Sequence, residues 1–476
     1  MKKADIAIIG AGLAGIFAAY ELITKRPDLK ILLLEQGDPI ASRQCPILEG
    51  KVKKCINCKP CAIMRGFGGA GAFSDGKFNY TTEFGGWLTD YLESSKVLEL
   101  IDDVDAVNRQ FGATSEIYST ATPEAEAIGR RALSYDIHLL NARVKHLGTE
   151  NNRRILEKIY DWLNERVELS CRTEVGKIIP IKDGKPVDHL NGVTPDSYQL
   201  ETSKGNVDCD ILIAAPGRSG AEWFSDVCRA LHLPMINNQV DLGLRVELPA
   251  LVFKEITDAM YEAKLKYMTR CYNDIVRTFC MNPYGYVVTE NTDGIITVNG
   301  HSYDDPALRS DNTNFALLVS NRFTEPFKEP YRYGKHIASL SNMLGGGVMV
   351  QRLGDLRDGR RTNEHRMSKS FVRPTLEATP GDLSLALPKR HLDNIIEMLE
   401  TLDKLAPGTA NADTLLYGVE VKFYSARLEL TREFETGLRN FFAIGDGAGI
   451  TRGLSQAGAS GIHAARAILQ RINKAG

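Results

Sequence analysis

The sequence has no marked excess of charge and no apolar run long enough to span a membrane. Its 58 Lys and Arg residues nearly balance 60 Asp and Glu residues, and the formal net charge is −2. Such a balance creates no strong field that would attract nucleic acid or anionic lipid to the whole protein. The apolar run from Ala4 to Ile23 is interrupted by Asp5 and Glu21, which a signal peptide would lack. We therefore expect a cytoplasmic protein whose partners are small molecules, with no membrane or nucleic-acid partner.

The sequence also lacks a disulfide framework, internal repeats and low-complexity segments. Five of its nine cysteines are scattered, and an odd number without regular spacing is typical of a reducing cytosol. With 43% hydrophobic and 25% charged residues, the 476-residue chain has an ordinary globular composition and is large enough for two or three cores. The informative features are several glycine-rich turns and one cluster of four cysteines.

Residues 4 to 35 carry the pattern of a dinucleotide-binding unit. A buried strand over Ala4 to Ile9 is followed by a G-x-G-x-x-G turn, a helix to Lys25, a second strand over residues 30 to 34, and then Glu35. The first glycine permits the tight turn, the second lets the backbone approach a pyrophosphate, and the third lets the helix pack on the strand. Glu35 would accept hydrogen bonds from ribose hydroxyls and repel a 2′-phosphate, which disfavours NADP. The predicted contacts are Gly10, Gly12, Leu13, Ala14, Gly15, Glu35, Gln36 and Arg43, and the alternative is a strand–helix turn that binds nothing.

The far end of the chain favours FAD over NAD. A short apolar strand over Phe441 to Ile444 leads into Gly445, Asp446 and Gly447, and a helix follows Gly453. An acid at this position can hold a ribityl hydroxyl, while the helix N-terminus can face the electron-rich N1 and C2=O edge of a flavin. The alternative is a surface turn before a closing helix. The predicted flavin contacts are Gly445, Asp446, Gly453, Leu454 and Ala457.

A third glycine-rich segment, "GFGGAGAFSDGKF" at residues 66 to 78, is predicted to cover the cofactor. Its four leading glycines remove side chains over six positions, which suits a backbone lying against a flat ring or a pyrophosphate. The interleaved Phe and Ala residues favour packing over the alternative, a flexible surface turn. The predicted contacts are Gly68, Gly69, Ala70, Gly71, Ser74 and Asp75.

These motifs resemble the FAD-dependent oxidoreductases that have a glutathione-reductase-like flavin domain. The resemblance covers both chain ends, "NVDCDILIAAPGRSG" at residues 206 to 220, and "RVELSCRTEVGKIIPI" with "YQLETSKG" ahead of it. The segment at 66 to 78 is similar to a motif of a bacterial and archaeal group described as uncharacterised FAD-dependent dehydrogenases. The resemblance implies an α/β fold in which a Rossmann-like FAD-binding domain, a parallel sheet plus β-meander, carries an inserted α+β substrate domain. It also implies cofactor contacts from Val175, Pro216, Gly217 and Arg218, although Thr is commoner than Pro at position 216.

Four cysteines just before the third glycine-rich segment form a candidate metal site. Cys45, Cys55, Cys58 and Cys61 have the spacing C-x9-C-x2-C-x2-C. Two successive x2 spacings suit a [4Fe-4S] cluster, which could exchange single electrons with a nearby flavin. Structural zinc fits the count of thiolates, and a redox-active C-x-x-C dithiol or inert cysteines are the third alternative.

The distance between the two flavin motifs predicts how the domains are arranged. We expect the FAD-binding domain at residues 1–245, including the cysteine cluster at 45–61 and a helical segment at 85–167, and its closing part at 406–476. The substrate domain would be inserted at 246–405, with strands at 284–291, 293–300 and 312–321 and a helix at 388–407. Because only one G-x-G-x-x-G is present, reduction would come from the substrate, from transiently bound NAD(P)H, or through the cysteine site. The candidate redox partners are NAD(P)H and an electron-transfer protein.

The resulting hypothesis is an FAD-dependent oxidoreductase, dehydrogenase or reductase, for a small substrate of which a carboxylate is one candidate group. One alternative is a flavin-dependent RNA-modifying enzyme that uses the basic run at 357–366, and another is an electron-transfer flavoprotein without a small substrate. No residue is predicted to be catalytic. The polar candidates are Arg245, Arg277, His301, Arg373, Lys422 and Tyr424, and for each of them a solvated charge or a satisfied core group is the simpler interpretation.

Overall fold

A computed structural model describes residues 2–475 of the chain except 53–55, 57, 75, 115, 142, 188–192, 237–238, 293, 304, 322–329, 423–424 and 426. The chain divides into two units by its internal contacts. Unit 1 comprises Met1–Ile117, Val144–Asn238 and Ser425–Gly476, and unit 2 comprises Tyr118–Arg143 and Gln239–Tyr424. Within the described residues, no helix is both long enough and apolar enough to cross a bilayer.

Strands and helices alternate in unit 1, whereas strands predominate in unit 2. In chain order the strands are β1 (Lys2–Ile9), β2 (Ile31–Leu34), β3 (Lys77–Asn79), β4 (Tyr118–Ser119), β5 (Ile137–Leu139), β6 (Arg143–His146), β7 (Glu168–Ser170), β8 (Val175–Lys182), β9 (Lys185–Pro186), β10 (Ser197–Thr202), β11 (Gly205–Ala214), β12 (Met235–Ile236), β13 (Val240–Pro249), β14 (Leu265–Met268), β15 (Ile275–Asn282), β16 (Tyr286–Thr292), β17 (Ile295–His301), β18 (Asn312–Asn321), β19 (Met349–Arg352), β20 (Thr379–Pro380), β21 (Leu415–Lys422), β22 (Arg427–Leu428) and β23 (Phe441–Ala443). The helices are α1 (Leu13–Lys25), α2 (Ser94–Gln110), α3 (Pro123–Leu133), α4 (Thr149–Asn164), α5 (Ala221–Ala230), α6 (Ala250–Met260), α7 (Pro330–Gly345), α8 (Leu353–Arg357), α9 (Glu364–Ser368), α10 (Lys389–Leu405) and α11 (Leu454–Ala475).

Unit 1 is built on one mixed sheet. Its strand order is β7-β2-β1-β11-β10-β8-β9, and β23 also pairs with β11. Strands β7, β2, β1, β11 and β23 are parallel to their neighbours, while β10 and β8 pair antiparallel as a meander. Where the parallel strands lie side by side, at residues 6–9 of β1, 31–34 of β2, 211–214 of β11 and 441–443 of β23, they are apolar and buried, because both faces of such a sheet are covered. This arrangement confirms the predicted α/β class with a parallel sheet and a β-meander.

The closing helix α11 packs closely on α1 through small residues. A Cβ atom placed at Gly461 would lie only 2.2 Å from the carbonyl oxygen of Ala14, and one at Gly458 would lie 2.9 Å from Val104 of α2. Within the segment 85–167 that was expected to be helical, the first α-helix, α2, begins at Ser94, and a short 3-10 turn over Leu88–Asp90 precedes it. The end of the chain is therefore fixed beside its beginning.

Unit 2 is built on a second eight-stranded sheet, with the order β20-β19-β21-β13-β18-β15-β14-β5, and on the hairpin β16–β17. In its central strand, β13, the residues on both faces of the sheet are buried. Alternate residues, among them Leu242, Leu244 and Val246, enter the apolar core, whereas Asp241, Arg245 and Glu247 point to the opposite face. The strands predicted at 284–291, 293–300 and 312–321 are confirmed as β16, β17 and β18, and the helix predicted at 388–407 is α10.

The two units divide the chain differently from the predicted boundaries at 245 and 405. Strand β21, whose residues were expected in the closing part, pairs with β13 in unit 2. Strand β5, which lies within the segment expected to be helical, pairs with β14. Backbone pairing between strands distant in sequence leaves little signal in composition, so these edges could not be located from the sequence.

The close packing of α11 predicts that Gly461→Ala destabilises unit 1. The added methyl group would overlap the Ala14 carbonyl, and overpacking of this kind typically costs about 1–3 kcal/mol. Gly129 in α3 is a matched control, because a Cβ there would lie 3.5 Å from Leu139, an ordinary contact. Gly129→Ala should stabilise by about 1 kcal/mol through helix propensity. Urea unfolding followed by circular dichroism measures both effects, and a Gly461→Ala protein as stable as the wild type would contradict the packing.

Candidate functional site

The carboxyl ends of three adjacent parallel strands, β1, β11 and β23, meet in unit 1. Ala215 donates its N–H to the carbonyl of Ile9 at 2.7 Å, and Ile444 donates to the carbonyl of Ala214 at 2.9 Å. The turns that follow these strands also touch each other. A Cβ at Gly10 would lie 2.1 Å from the Ala215 oxygen, and one at Gly447 would lie 2.8 Å from the Gly217 oxygen. The predicted contacts at 10–15, 216–218 and 445–457 are therefore brought together.

Three glycines in these turns border open space. A Cβ placed at Gly12, Gly217 or Gly453 would meet no atom within 4 Å, although all three residues are partly buried. Gly12 is also the N-cap of α1, where no side chain caps the helix and no acid lies in the first turn. The uncapped N–H groups of α1 thus point into the open space and can bind an anion.

The first turn of α11 carries buried polar atoms that the protein itself does not satisfy. Among the described residues, the Oγ of Ser455 and the Oε1 of Gln456 have no hydrogen-bond partner. The Nε2 of Gln456 donates to the carbonyl of Phe84 at 3.2 Å, and a Cβ placed at Gly86 would lie 2.5 Å from its Oε1, so this side chain faces the backbone of residues 84–86. Ala457 lies in the same turn, and its N–H donates to the carbonyl of Gly453 at 3.0 Å.

Asp446 is the acid at the mouth of β23. The hydroxyl of Thr451 donates to its Oδ1 at 2.7 Å, and the Nε of Arg218 lies 3.6 Å from its Oδ2. Burial raises the pKa of Asp446, and the charge of Arg218 opposes this shift. The carboxyl group is held in place and keeps acceptor capacity for a polyhydroxyl ligand.

Glu35 links three turns of unit 1. Its Oε2 accepts from the N–H of Ala11 at 2.9 Å, and its Oε1 accepts from the N–H groups of Gly37 at 2.8 Å and Gly66 at 2.9 Å. The side chain is buried. A carboxylate has about four acceptor sites, so about one remains for a ribose hydroxyl. Glu35 therefore keeps acceptor capacity for the predicted ribose contact. Its three hydrogen bonds also hold the surrounding turns in position.

The glycine-rich loop at 66–73 lies directly on the first turn. Gly68 donates to the carbonyl of Ala11 at 2.8 Å, and a Cβ at Gly69 would lie 3.2 Å from the Cα of Gly12. A Cβ at Gly71 would lie between Leu454, at 2.9 Å, and Leu13, at 3.9 Å. The loop therefore packs against both ends of the chain and is not an isolated surface turn.

The same loop is anchored from its other side. Asn152 of α4 donates to the carbonyl of Gly71 at 2.7 Å, and the hydroxyl of Ser74 donates to the same carbonyl at 2.7 Å. Ala70 is half-buried within the loop. Asp75, which was predicted to contact the cofactor, lies outside the described residues.

Arg43 binds the loop through its backbone. Its guanidinium donates to the carbonyls of Ala62, Ile63, Phe67 and Gly69 at 2.7 to 2.9 Å, and the side chain is 1% exposed. Burial lowers the pKa of Arg43 to about 10, and the negative charge of Glu35 opposes this shift. The structure thus gives Arg43 a positioning role that the sequence did not indicate.

Two further segments border the site. Glu35 donates its N–H to the carbonyl of Ser170 at 3.0 Å and accepts from the N–H of Thr173 at 2.8 Å, which brings the start of β8 at Val175 close to Glu35 and Gln36. The sequence did not reveal residues 84–87, "FGGW". Trp87 donates to the carbonyl of Ile450 at 2.9 Å, and Arg452 donates to the carbonyl of Gly85 at 2.8 Å. The sequence feature that could have indicated this segment is its pair of adjacent glycines, Gly85 and Gly86.

The structure gives the cysteine cluster no support as a metal site. Cys45, Cys58 and Cys61 are half-buried thiols, and Cys55 lies outside the described residues. In the part of the chain that the structure describes, no three His, Cys, Asp or Glu side chains form a group that could hold a metal ion. Because one of the four cysteines lies outside the described residues, the iron-sulfur and zinc alternatives stay predictions, and no step of the chemistry is assigned to a metal.

Unit 2 contains a fully buried ion pair on the polar face of its sheet. The guanidinium of Arg245 binds Glu420 through two contacts, Nε to Oε2 at 2.8 Å and Nη2 to Oε1 at 3.1 Å, and both side chains are 0% exposed. Lys422 lies 2.8 Å from the same carboxylate. Burial favours the neutral acid, but the charges of Arg245 and Lys422 outweigh it and lower the pKa of Glu420.

Three cations surround the ring of Phe279 on the same face. The Nζ of Lys264 lies 4.5 Å from the ring centroid, and Lys422 and the guanidinium carbon of Arg277 each lie 5.6 Å away. Each cation also has an acidic partner: Glu262 for Lys264, Asp241 for Arg277 and Glu420 for Lys422. Lys264 is a member that the sequence did not indicate. We call Lys264, Arg277, Phe279 and Lys422 the Phe279 cluster.

The other polar candidates lie in different surroundings. The ring of His301 packs edge-on against Tyr303, with centroids 4.7 Å apart. Arg373 donates to the carbonyl of Ser368 at 3.3 Å. Tyr424 lies outside the described residues, so its predicted role stays a prediction.

Comparison with known proteins is consistent with a flavoprotein. Residues 240–423, which fall within unit 2, match the family model described as FAD-dependent protein, C-terminal domain-like. The chain is 27% identical to an uncharacterised protein of Clostridium beijerinckii over 99% of this chain and 82% of that protein. A short stretch is 57% identical to the thiamine thiazole synthase of Phaeosphaeria nodorum, covering 7% of this chain and 11% of that protein.

The solved structures that are similar to the chain are distant. Quinol fumarate reductase of E. coli is 13% identical, with a TM-score of 0.41, over 100% of this chain and 72% of that chain. L-proline dehydrogenase of P. horikoshii is 10% identical, with a TM-score of 0.40, over 99% and 94% of the two chains. Nothing about the activity of this chain follows from likenesses at this level.

The contacts of Glu35 predict that Glu35→Gln destabilises unit 1. Glutamine offers a single side-chain oxygen, so at least one of the three N–H donors would face an amide NH2 group. A buried donor left without an acceptor costs about 1–3 kcal/mol. Urea unfolding should show this loss, and amide exchange at Gly66 should become faster. Glu165→Gln is the control, because that side chain is 71% exposed, and it should change stability by less than about 0.5 kcal/mol. Equal stability of the two variants would contradict the linking role.

Proposed function

We propose that the chain is an FAD-dependent oxidoreductase that binds FAD in unit 1. The observation that carries the proposal is the convergence of three open glycines, Gly12, Gly217 and Gly453, with Glu35 and Asp446 at the ends of adjacent parallel strands. Open α/β sheets bind their ligands outside the carboxyl ends of the strands. The match of residues 240–423 to a domain of FAD-dependent proteins supports FAD as that ligand.

Each part of the site suits one part of FAD. Glu35 would hold the adenosine ribose, with Val175 beside the adenine, and the α1 N-terminus at Gly12 would hold the pyrophosphate. Asp446 would hold the ribityl chain, and the N-terminal N–H groups of α11 would face the isoalloxazine edge. When bound, FAD supplies two-electron oxidation or reduction of a substrate. The loop at 66–73 excludes water from this site, and Arg43 holds the loop in place.

We place unit 1 in the glutathione-reductase-like group of flavin domains. The order of its elements supports this placement: β1, α1 and β2 come first, the meander of β8, β10 and β11 follows, and β23 with α11 closes the unit. Two segments between these elements, Tyr118–Arg143 and Gln239–Tyr424, form unit 2, which would be the substrate domain.

We propose that the substrate is a small anion, such as a carboxylate, held by the Phe279 cluster. Arg277 and Lys422 carry positive charge on a face that also presents an aromatic ring, so an apolar group and an anionic group can be bound side by side. In addition, Arg245 shares the carboxylate of Glu420 with Lys422, which leaves Lys422 only partly neutralised. With Arg245 included, four cations (Lys264, Arg277, Lys422 and Arg245) meet three acids (Glu262, Asp241 and Glu420), and this excess of positive charge would favour an anion.

The FAD proposal predicts opposite effects of Gly12→Asp on stability and on cofactor affinity. Aspartate is a good N-cap, and a Cβ at this position meets no protein atom, so the protein without cofactor should be as stable as the wild type or slightly more stable. The added carboxylate would occupy and repel the pyrophosphate. We expect FAD affinity to fall at least about a hundredfold, since one charge repulsion and one steric overlap together exceed about 3 kcal/mol.

Flavin absorbance after dialysis measures this affinity, and thermal unfolding measures stability. Gly12→Asn is the control, because it keeps the N-cap and the volume but adds no charge, and it should bind FAD with an intermediate affinity. A wild-type protein that takes up no FAD would refute the proposal.

Iron, acid-labile sulfide and zinc measured on the same anaerobic sample decide the four-cysteine hypothesis, and flavin without any metal would exclude both a cluster and zinc.

The substrate proposal predicts that Lys422→Met weakens the binding of carboxylates. Glu420 would keep Arg245 as its partner, so the fold should persist. Calorimetric titration with benzoate should show at least about a tenfold loss of affinity, the value of one charge-assisted hydrogen bond, while benzamide should be unaffected. Lys389→Met removes an 83% exposed lysine of unit 2 and serves as the charge control. Equal benzoate affinities of the wild type and the Lys422 variant would contradict the proposal.

A further inference from the structure

Unit 2 has a second candidate site, an open cleft of about 480 Å³ lined by residues 361, 363–366, 379 and 380. This volume is within the range of small-molecule sites, which is roughly 300–1,000 Å³. The cleft lies in a basic stretch of the sequence, since residues 359–376 include five Lys and Arg residues and one acid. A local excess of this size is notable in a chain whose net charge is −2.

The arginines of this stretch differ in how far their charges are neutralised. Arg357 is paired with Glu400, and Arg360 is paired with Asp355 and Asp358. Arg361 is exposed, and within the described residues it has no acidic partner and makes only a long contact, 3.5 Å, to the carbonyl of Pro380. Its guanidinium therefore keeps nearly all of its donors for a ligand.

The backbone that carries Arg361 is rigidly held. The neighbouring Thr362 is 0% exposed, and its hydroxyl donates to the buried carboxylate of Asp355 at 2.8 Å. Its N–H donates to the carbonyl of Gly381 at 3.1 Å. The guanidinium of Arg366 donates to the carbonyl of Arg361 at 2.8 Å and lies 3.6 Å from the carboxylate of Asp355, so it is fixed and partly neutralised. The backbone of the site is thus ordered before binding, which lowers the entropy cost of binding, while the guanidinium of Arg361 is exposed and can turn toward a ligand.

We propose that this cleft binds the phosphate group of a small phosphate monoester, with Arg361 as the main ligand and Arg366 and His365 beside it. The planar fork of arginine matches the geometry of phosphate oxygens and forms two parallel charge-assisted hydrogen bonds with them. Because acids neutralise Arg357 and Arg360, the remaining positive charge of this stretch is concentrated around Arg361. A long polyanion such as RNA would require a continuous basic stripe, and Glu364 in the cleft would repel it.

Calorimetric titration of the full-length, FAD-saturated protein tests the proposal. The probes are inorganic phosphate, AMP and adenosine. We expect phosphate and AMP to bind and adenosine not to bind. Arg361→Ala should weaken both phosphate-bearing probes at least about tenfold, the value of one charge-assisted contact. Arg130→Ala removes a 72% exposed arginine elsewhere in unit 2, and should leave both affinities within about twofold of the wild type.

The outcomes separate the sources of the phosphate group. Tighter binding of AMP than of inorganic phosphate, lost in Arg361→Ala, indicates a nucleotide-borne group, and equal binding indicates recognition of the phosphate alone. The proposal is overturned if the wild-type protein binds neither probe, if Arg361→Ala binds as the wild type does, or if a single-stranded RNA binds far more tightly than AMP. Since Arg361 is exposed, thermal unfolding should show an intact fold in the variant, and line broadening in phosphorus NMR gives a second readout.

Discussion

The carboxylate of Glu35 is the interaction on which the geometry of unit 1 depends. Its two oxygens accept three backbone N–H groups from three separate turns, those of Ala11, Gly37 and Gly66. Charge-assisted hydrogen bonds are about twice as strong as neutral ones, and burial strengthens them further. Glu35, which the sequence predicts to contact a ribose, thus also joins the loop at 66–73 to the dinucleotide turn.

Arg43 complements Glu35 within the same loop. The acid binds N–H groups, whereas the guanidinium binds four carbonyls over residues 62–69. The two opposite charges also lower each other's cost of burial, which is large for an isolated ion. Unit 2 applies the same principle on its sheet, where Arg245, Glu420 and Lys422 are buried together and share their hydrogen bonds. In both units a charged pair fixes backbone geometry next to a candidate binding surface.

The sequence predicted the parts of the fold that are encoded locally. The turn at Gly10 to Gly15, the strand before Gly445 and the hairpin of β16 and β17 follow from glycine spacing and apolar periodicity, and all of them are present. Long-range pairing is different, because the partner of β5 or of β21 depends on residues more than a hundred positions away. For the same reason Arg43 could be recognised as a candidate but not as a ligand of carbonyls. Lys264 was missed because only the fold brings it to Phe279.

Glycine motifs have two physical meanings that a sequence cannot separate. Gly10, Gly15 and Gly461 are required because another atom of the protein occupies the place of a side chain, at 2.0 to 2.2 Å from the Cβ position. Gly12, Gly217 and Gly453 have no protein atom there at all. Packing explains the first group. In the second group, Gly217 and Gly453 have φ angles of 64° and 149°, which favour glycine whatever lies beside them, so Gly12 is the one member that neither packing nor backbone conformation explains. All three open glycines lie where β1, β11 and β23 end, and the FAD proposed above would pass over them without meeting a side chain.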